Sequence, residues 1–366
     1  MILARYVALR YLRAFVLLSG VFLAILLLID MVEQIRRFSG DGLSLGGAAQ
    51  LSLLSVAGSF YGILPLIGLL AGISLFLGLS RSSEMVAIRA SGRSALRVLL
   101  APAVMALLIG AGCVAVLNPI VAATEKAYSA EVTRIQSGAG QTVGLGDSGV
   151  WLRQGMEGER GQMVIRAERT SPDATTLYRA SFLLFDPEAG PTARIEADEA
   201  RLGAGEWQLS GVKSWALNIA NPEAAARTQD TLSLPTDLTA DRIRDGFGRP
   251  QTVPFWQLPG FIDGLQAAGF SAARHQVWFQ MELALPLMLA AMLTVAAIFT
   301  MRHMRGRRTG MLILAAFGAG LGLFFLRNLA QVLGEAGDVS PAMAAWAPPI
   351  VAILFATGAL LRLEDG

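Results

Sequence analysis

Six long apolar runs constrain the fold of this chain more than any other feature. They cover residues 11–32, 51–80, 96–117, 278–301, 311–332 and 343–361. Each is long enough to cross the hydrocarbon core of a bilayer as an α-helix, which takes about 20 residues. Composition agrees, because 54% of the 366 residues are hydrophobic and only 16% are charged. A mean hydropathy of +0.52 places the chain in a membrane rather than in solution.

Prolines and glycines predict breaks and close contacts within these runs. As one straight helix, residues 51–80 would measure about 45 Å, so this span must tilt, extend into the headgroups, or bend at Pro65. Gly68 and Gly72 would let another helix approach closely. The third span is predicted to end at Asn118–Pro119, since proline interrupts the hydrogen-bond ladder of a helix.

Between the third and fourth spans, short β-like runs alternate with Gly, Asp and Pro turns. Their alternating apolar and polar residues predict strands with one buried and one solvated face, typical of a sandwich or an open barrel-like fold. The predicted strands are Gly149–Arg153, Gln162–Glu168, Thr176–Phe185, Thr192–Arg201, Glu206–Trp215 and Thr231–Leu234. The expected domains are 1–123 (spans one to three), 124–270 (an all-β domain and its return linker) and 271–366 (spans four to six).

The arginines predict how the spans are oriented. The short loop after span one contains Arg36 and Arg37, whereas the opposite side of the membrane collects most of the others. By the positive-inside bias, we expect both termini and segment 82–92 to be cytoplasmic and the β domain to lie on the outer face, which for a bacterium with two membranes means the periplasm. The cytoplasmic group consists of Arg5, Arg10, Arg13, Arg81, Arg89, Arg93, Arg97, Arg302, Arg305, Arg307, Arg308 and Arg362.

The polar segment 82–92, between spans two and three, is short but patterned. Its apolar residues recur at helical spacing, Ser82 could cap a helix with Glu84 in the first turn, and Gly92 could end it. This pattern predicts an amphipathic helix of about three turns along the membrane surface. A solvated connecting loop with an ordinary cap is the alternative, and the residues alone favour that loop.

Motifs for catalysis are absent from the sequence. No phosphate-binding loop exists, because neither Lys126 nor Lys213 follows a glycine as that motif requires. His275 and His303 lie at loop edges without a zinc-binding pattern, and we expect both to be surface or interfacial side chains. No Gly-x-Ser-x-Gly nucleophile elbow occurs. The chain has two lysines and no polybasic tail, so nucleic acid is not an expected partner. The absence of catalytic motifs predicts a protein that binds and moves a substrate, without a cofactor of its own.

Several segments together resemble a known family, the lipopolysaccharide export permeases LptF and LptG. They are Arg-Tyr-Val-Ala-Leu-Arg-Tyr-Leu at 5–12, Ser-Glu-Met-Val-Ala-Ile-Arg-Ala-Ser-Gly at 83–92, the β-rich insertion and the final helical triplet. The resemblance implies a membrane α-helical fold, with six transmembrane helices (three plus three) around an inserted periplasmic jellyroll-like domain. In the family, an apolar trough of that domain receives acyl chains; here the apolar positions could equally be a filled core. The run Asp30–Arg37 looks closer to LptG than to LptF.

In this family, segment 82–92 is a coupling helix that docks into an ATPase, LptB. The resemblance implies that Glu84 is the coupling-helix glutamate and faces basic groups of the ATPase. The remaining coupling residues implied are Met85, Val86 and Ile88 in the ATPase groove, with Arg89 or Arg81 at its rim.

Three arginines are candidates for binding lipid headgroups. Arg36 and Arg37 end span one, which lines the lipid cavity in the family, and Arg327 lies near the outer end of span five. The guanidinium fork suits phosphate. Interfacial anchoring is the alternative for each of them, and a self-neutralising charged rim is the alternative for the run from Asp30 to Arg37.

The implied function is that of a permease subunit of an ABC transporter for lipopolysaccharide. Its implied partners are an LptB-like ATPase dimer that binds the ATP, a second LptF/LptG-type permease, LptC and an LptA-like periplasmic bridge. The chain itself would carry no catalytic, cofactor or metal site. Two alternatives stay open: a non-transporting scaffold or sensor with a periplasmic β domain, and an exporter of another envelope lipid.

Overall fold

The computed structural model describes residues 2–38, 44–90, 94–136, 142–146, 149–156, 161–171, 173–186, 190–219, 221–236, 238–239, 243, 249–301 and 309–365. Six helical segments in this part of the chain are long and apolar enough to cross a membrane, which confirms the six predicted spans. The helices are α1 (Ile2–Arg37), α2 (Leu45–Gly62), α3 (Leu64–Arg81), α4 (Glu84–Ala90), α5 (Ala95–Gly112), α6 (Asn118–Gln136), α7 (Leu258–Ala267), α8 (Ala273–Thr300), α9 (Thr309–Ala336) and α10 (Pro341–Asp365).

The predicted second span is interrupted rather than straight. Ile63 leaves the helical conformation between α2 and α3, with φ −94° and ψ 0°. Pro65 lies in the first turn of α3, where its missing N–H costs no helical hydrogen bond. Tilt, extension into the headgroups and a bend at Pro65 were the three predicted possibilities for this long apolar run. The structure has a break in the helix beside Pro65.

The prediction that the third span ends at Asn118–Pro119 was wrong. A π-helical turn, Cys113–Leu117, follows α5, and α6 then continues through Pro119 to Gln136. Because the wider turn shifts the hydrogen-bond register and Pro119 occupies the first turn of α6, the proline does not stop the helix. The helix also extends past residue 123, where the sequence placed the end of the first membrane segment.

The most buried span is α8, which packs against α3, α5, α9 and α10. Close contact with α3 occurs at the two predicted glycines. A Cβ on Gly68 would lie 3.0 Å from Leu289 Cδ2, and one on Gly72 would lie 3.0 Å from Ala296 Cβ. Small residues on α3 thus allow the close approach of α8 that the sequence predicted.

The insertion forms one antiparallel sheet in which every strand pairs with its neighbours in sequence. This order makes an open up-and-down sheet rather than a sandwich of two sheets. All six predicted strands are present, and a seventh, β1, was missed because glycines alternate along it and weaken the strand pattern. The strands are β1 (Thr142–Gly146), β2 (Gly149–Met156), β3 (Gly161–Thr170), β4 (Thr176–Asp186), β5 (Gly190–Leu202), β6 (Glu206–Ala216) and β7 (Arg227–Pro235).

The chain divides into two compact units. Residues 1–129, 251–256 and 273–366 form the helical unit, and residues 130–250 and 257–272 form the β unit. Within the β unit, the end of α7 is tied to β3, because Thr170 N donates to Ala268 O at 3.0 Å. Gly269 follows with φ +88°, and a Cβ there would overlap the Thr170 backbone. Only glycine combines that backbone angle with so close an approach.

Candidate functional site

The segment between spans two and three is a helix, so the alternative of a solvated loop was wrong. The predicted cap also differs, because Ser82 ends α3 instead of starting α4: its N–H donates to Gly78 O at 3.1 Å. Ser83, at φ +59°, turns the chain between the two helices. Its carbonyl accepts the N–H groups of Val86 and Ala87 at 3.1 and 3.2 Å. Helix α4 covers Glu84–Ala90 and so begins two residues later than predicted; Gly92, which was predicted to end it, lies outside the described residues.

Glu84, the first residue of α4, forms hydrogen bonds with two side chains of α1 and with Ser82. Arg10 Nη1, on α1, donates to Oε1 at 2.9 Å and to Oε2 at 3.0 Å. Tyr6 OH also donates to Oε2, at 3.0 Å, and Ser82 Oγ lies 2.7 Å from Oε1. Both carboxylate oxygens are thus occupied. The Ser82 hydroxyl and then the Arg10 and Tyr6 groups hold the pKa of Glu84 below its usual value, against the opposing effect of desolvation.

The apolar side chains of α4 point in two directions. Met85 and Ile88 are buried in the core cluster that also contains Val7 and Tyr11 of α1. Val86 is 45% exposed. Burial of two such side chains stabilises by about 1.5–3 kcal/mol each, whereas an ion pair that is one-third exposed contributes about 1 kcal/mol or less. Apolar packing therefore docks α4, and the Glu84 contacts orient it.

The sequence expected Met85, Val86 and Ile88 to fill an ATPase groove together. In this chain, only Val86 of the three remains accessible, and Ala87 and Ala90 are exposed with it. Arg81 is exposed at the end of α3. Arg89 belongs to α4, but its side chain lies outside the described residues.

At the other end of α1, polar side chains connect this helix to α2 and α6. Ser55 Oγ donates to Asp30, and Gln34 Nε2 donates to Tyr128 OH at 3.2 Å. Arg37 Nη1 also donates to Tyr128 OH, at 3.2 Å. This end of α1 is consequently held by specific hydrogen bonds, and Arg37 takes part in them.

Arg36 is the more exposed of the two predicted headgroup ligands. Its side chain is 78% exposed and lies 2.9 Å from Glu33 in an i,i+3 ion pair. Such a pair on a helix surface contributes little to stability, so the guanidinium can exchange Glu33 for another anion at small cost.

A buried polar cluster inside the helical unit escaped the sequence analysis. Glu282 of α8 is 2% exposed and accepts a hydrogen bond from Tyr61 OH of α2. Asn118 of α6 is a further hydrogen-bonding neighbour of both, and its Oδ1 accepts the Phe255 N–H at 2.8 Å. The missed signal was an ionisable residue inside an apolar run, where a carboxylate is costly and usually functional.

Arg327 of α9 lies within electrostatic range of this cluster and interacts with the charges of Glu282 and Tyr61. Its side chain is half-buried. A cation there offsets the cost of burying the Glu282 carboxylate. The position differs from the open headgroup-level site that the sequence suggested for Arg327.

The two histidines were predicted to be surface or interfacial. His275 is instead buried near the start of α8, with 5% of its area exposed, although the neighbouring Arg274 is exposed. His303 lies outside the described residues.

Comparisons with known proteins agree with the architecture. The family described as "Lipopolysaccharide export system permease LptF/LptG" matches residues 5–362. The chain is 22% identical over 339 residues to the lipopolysaccharide export system permease protein LptG of Escherichia coli strain K12, covering 92% of this chain and 91% of the relative. It is equally similar to LptG of Escherichia coli O6:H1. With a match over nearly its whole length, six membrane-capable helices and an inserted β sheet, this chain belongs to the LptF/LptG family of lipopolysaccharide export permeases.

Proposed function

We propose that this chain is one of two permease subunits in an ATP-driven complex that extracts lipopolysaccharide from the bacterial inner membrane. An LptB-like ATPase dimer would bind to α4 from the cytoplasm. LptC and an LptA-like bridge would take the lipid from the periplasmic β domain. Family membership supports the permease role, and the arginine distribution supports this orientation. The main support for the ATPase contact is the position of α4. Its Met85 and Ile88 are buried against the helical unit, and its Val86 is exposed.

In this arrangement, the exposed face of α4 is the surface that the ATPase contacts. Val86 forms its apolar centre, with Ala87 and Ala90 beside it. These side chains are small, so a groove in the ATPase can approach the helix backbone closely. Arg81 and Arg89 are assigned to the rim, where charge affects the rate and specificity of association more than its strength.

A substitution at Val86 tests the ATPase contact. Val86→Asp places a charge at the centre of the surface, and we expect the ATPase to be lost from the purified complex while membrane insertion stays unchanged. Tyr178→Asp is the matched control, because Tyr178 is 40% exposed on β4 and Val86 is 45% exposed. Retention of the ATPase by Val86→Asp at the level of the Tyr178→Asp control contradicts the proposed contact.

We assign the binding of the lipid headgroup phosphates to Arg36 and Arg37. Both are near the end of α1, and the exposed Arg36–Glu33 pair can open to an anion. Arg327 is assigned instead to balancing Glu282, since its charge interacts with that cluster. Arginine binds phosphate through two parallel N–H donors, which a lipid with phosphorylated sugars would satisfy.

Charge reversal of Arg36 tests this part of the proposal. Arg36→Glu should reduce photocrosslinking of lipopolysaccharide to the end of α1. Arg134→Glu is the control, because Arg134 is 77% exposed and pairs with Glu131 at i,i+3, 2.5 Å away, as Arg36 does with Glu33. Equal crosslinking in the two variants favours an interfacial anchor over a headgroup ligand. Recovery of a different envelope lipid from the purified complex would change the assigned cargo.

A further inference from the structure

Asn118, the first residue of α6, connects parts of the helical unit that are far apart in the sequence. Its side chain is 2% exposed, and its Oδ1 accepts the Phe255 N–H at 2.8 Å. Its amide is also hydrogen-bonded to the Glu282 carboxylate of α8. Because an ionised carboxylate can only accept, the amide nitrogen is the donor in that bond. Both ends of this buried amide are therefore used, one by α8 and one by the backbone at residue 255.

The backbone at residue 255 belongs to a short segment, residues 251–256, here called the anchor segment. These six residues group with the helical unit, whereas residues 130–250 before them and 257–272 after them form the β unit. The anchor segment is thus continuous with the β unit at both of its ends. Contacts that hold this segment on the helices consequently restrict where the β unit is attached.

Aromatic side chains add to the hold on the anchor segment. The Phe255 ring stacks on Phe279 of α8, with centroids 5.4 Å apart and planes 17° apart. Trp256 Nε1 donates to Ala115 O at 3.3 Å, and Ala115 lies in the π-helical turn between α5 and α6. Single π-helical turns inside α-helices are frequent at functional sites. Consecutive residues of the anchor segment are thereby bonded to the same junction, which contains Ala115 and Asn118.

We propose that Asn118 is a positioning residue for lipid transfer: it fastens the anchor segment to the buried Glu282 of α8 and so fixes the point at which the β unit is attached to the helices. This inference rests on the proposed function, in which lipopolysaccharide passes from the helices to the β domain. The assignment also gives Glu282 a role, since an ionisable residue in a membrane span is costly and usually functional.

Hydrogen exchange at the Phe255 amide tests the bond itself in the full complex. Asn118→Ala leaves this N–H without its acceptor, and its protection should fall by about tenfold. Thr124→Ala is the matched control on α6, because the Thr124 hydroxyl donates to Val121 O of the same helix. Protection of the Phe255 amide should be unchanged in the control.

A double variant tests whether Asn118 and Glu282 face each other. Asn118→Asp replaces the amide donor by a second carboxylate, and two buried carboxylates repel each other. We expect this variant to lose more protection at Phe255 than Asn118→Ala does, or to yield little folded protein. Adding Glu282→Gln supplies an amide donor for the new aspartate, so the double variant should recover most of the loss.

Lipid transfer is measured with photoreactive amino acids at the end of α1 and in the β sheet. The ratio of lipopolysaccharide crosslinked in the sheet to that crosslinked at α1 should fall several-fold in Asn118→Ala and recover in the double variant. Trp256→Phe, which removes one donor and keeps a ring, should cause a smaller fall, and Thr124→Ala none. A purely structural role would change the amount of assembled complex but not this ratio.

Three results would overturn the role of Asn118: unchanged protection of Phe255 in Asn118→Ala, a double variant as defective as Asn118→Asp, or an unchanged crosslinking ratio in Asn118→Ala. Failure of the proposed function looks different. In that case the unaltered complex would give no lipopolysaccharide crosslink at either position, while exchange at Phe255 would still respond to Asn118→Ala.

Discussion

The close approach of α5 and α8 at Gly110 leads to a quantitative prediction about the helical unit. A Cβ on Gly110 would lie 2.9 Å from Pro286 N, 3.1 Å from Pro286 Cβ and closer still to its Cα. These are backbone and ring atoms that cannot rotate away, so Gly110→Ala must separate the two helices. Such overpacking costs about 1–3 kcal/mol, and a backbone obstacle favours the upper part of that range.

The higher helix propensity of alanine opposes this cost by about 1 kcal/mol. We therefore expect Gly110→Ala to lower the free energy of unfolding by about 2 kcal/mol. Gly112→Ala is the matched control on the same helix, because nothing lies within 4 Å of a Cβ there. The control should be neutral or slightly stabilised.

Unfolding of the detergent-solubilised protein, followed by circular dichroism during denaturant titration, measures the difference. The midpoint of Gly110→Ala should be clearly below that of the unaltered protein, and that of Gly112→Ala should not. Equal midpoints for the two variants would refute the packing argument, since propensity alone affects both positions in the same way.

Three further predictions concern the buried cluster, Glu84 and a second close contact. Tyr61→Phe removes a donor from the buried Glu282 carboxylate and should cost about 1.5–3 kcal/mol in the same titration; a change within error would contradict the contact. The hydrogen-bond partners of Glu84 lower its pKa. The stabilisation that these bonds provide is therefore complete above the ordinary carboxyl pKa of about 4.3. It is lost as the pH falls through the lower pKa that Glu84 has in the folded protein. The contribution of Glu84 to the free energy of unfolding should thus be constant from about pH 6 to 8, and a pH dependence there that Glu84→Gln abolishes would argue against an ionised Glu84. Gly320→Ala should destabilise the protein and Gly322→Ala should not, because a Cβ at Gly320 would overlap the Leu69 side chain whereas nothing lies within 4 Å of one at Gly322; thermal unfolding of both variants checks this.

Several features of the fold were predictable because they depend on neighbours in sequence. Apolar runs identify the membrane spans, and the alternation of apolar and polar residues identified the six strands β2 to β7. The break beside Pro65 was one of the foreseen accommodations. Pro119 misled the prediction because the effect of a proline depends on the turn that precedes it, and the π-helical turn at Cys113–Leu117 leaves no clear trace in composition.

The candidate site was only partly predictable, because its contacts join residues that are far apart in the sequence. Glu84 was singled out by its place in segment 82–92, but its partner Arg10 lies 74 residues away. Tyr61 and Glu282 are 221 residues apart, and neither was selected.

The sequence by itself determined that this chain crosses a membrane six times and carries a β insertion between spans three and four. Hydropathy and periodicity are local properties, so they can be read without knowing which helices touch. Only the tertiary structure decided that Met85 and Ile88 are buried, that Glu84 faces α1 and that Glu282 meets Tyr61. Those outcomes depend on how the helices pack, and packing brings together side chains whose separation along the chain gives no sign of their contact.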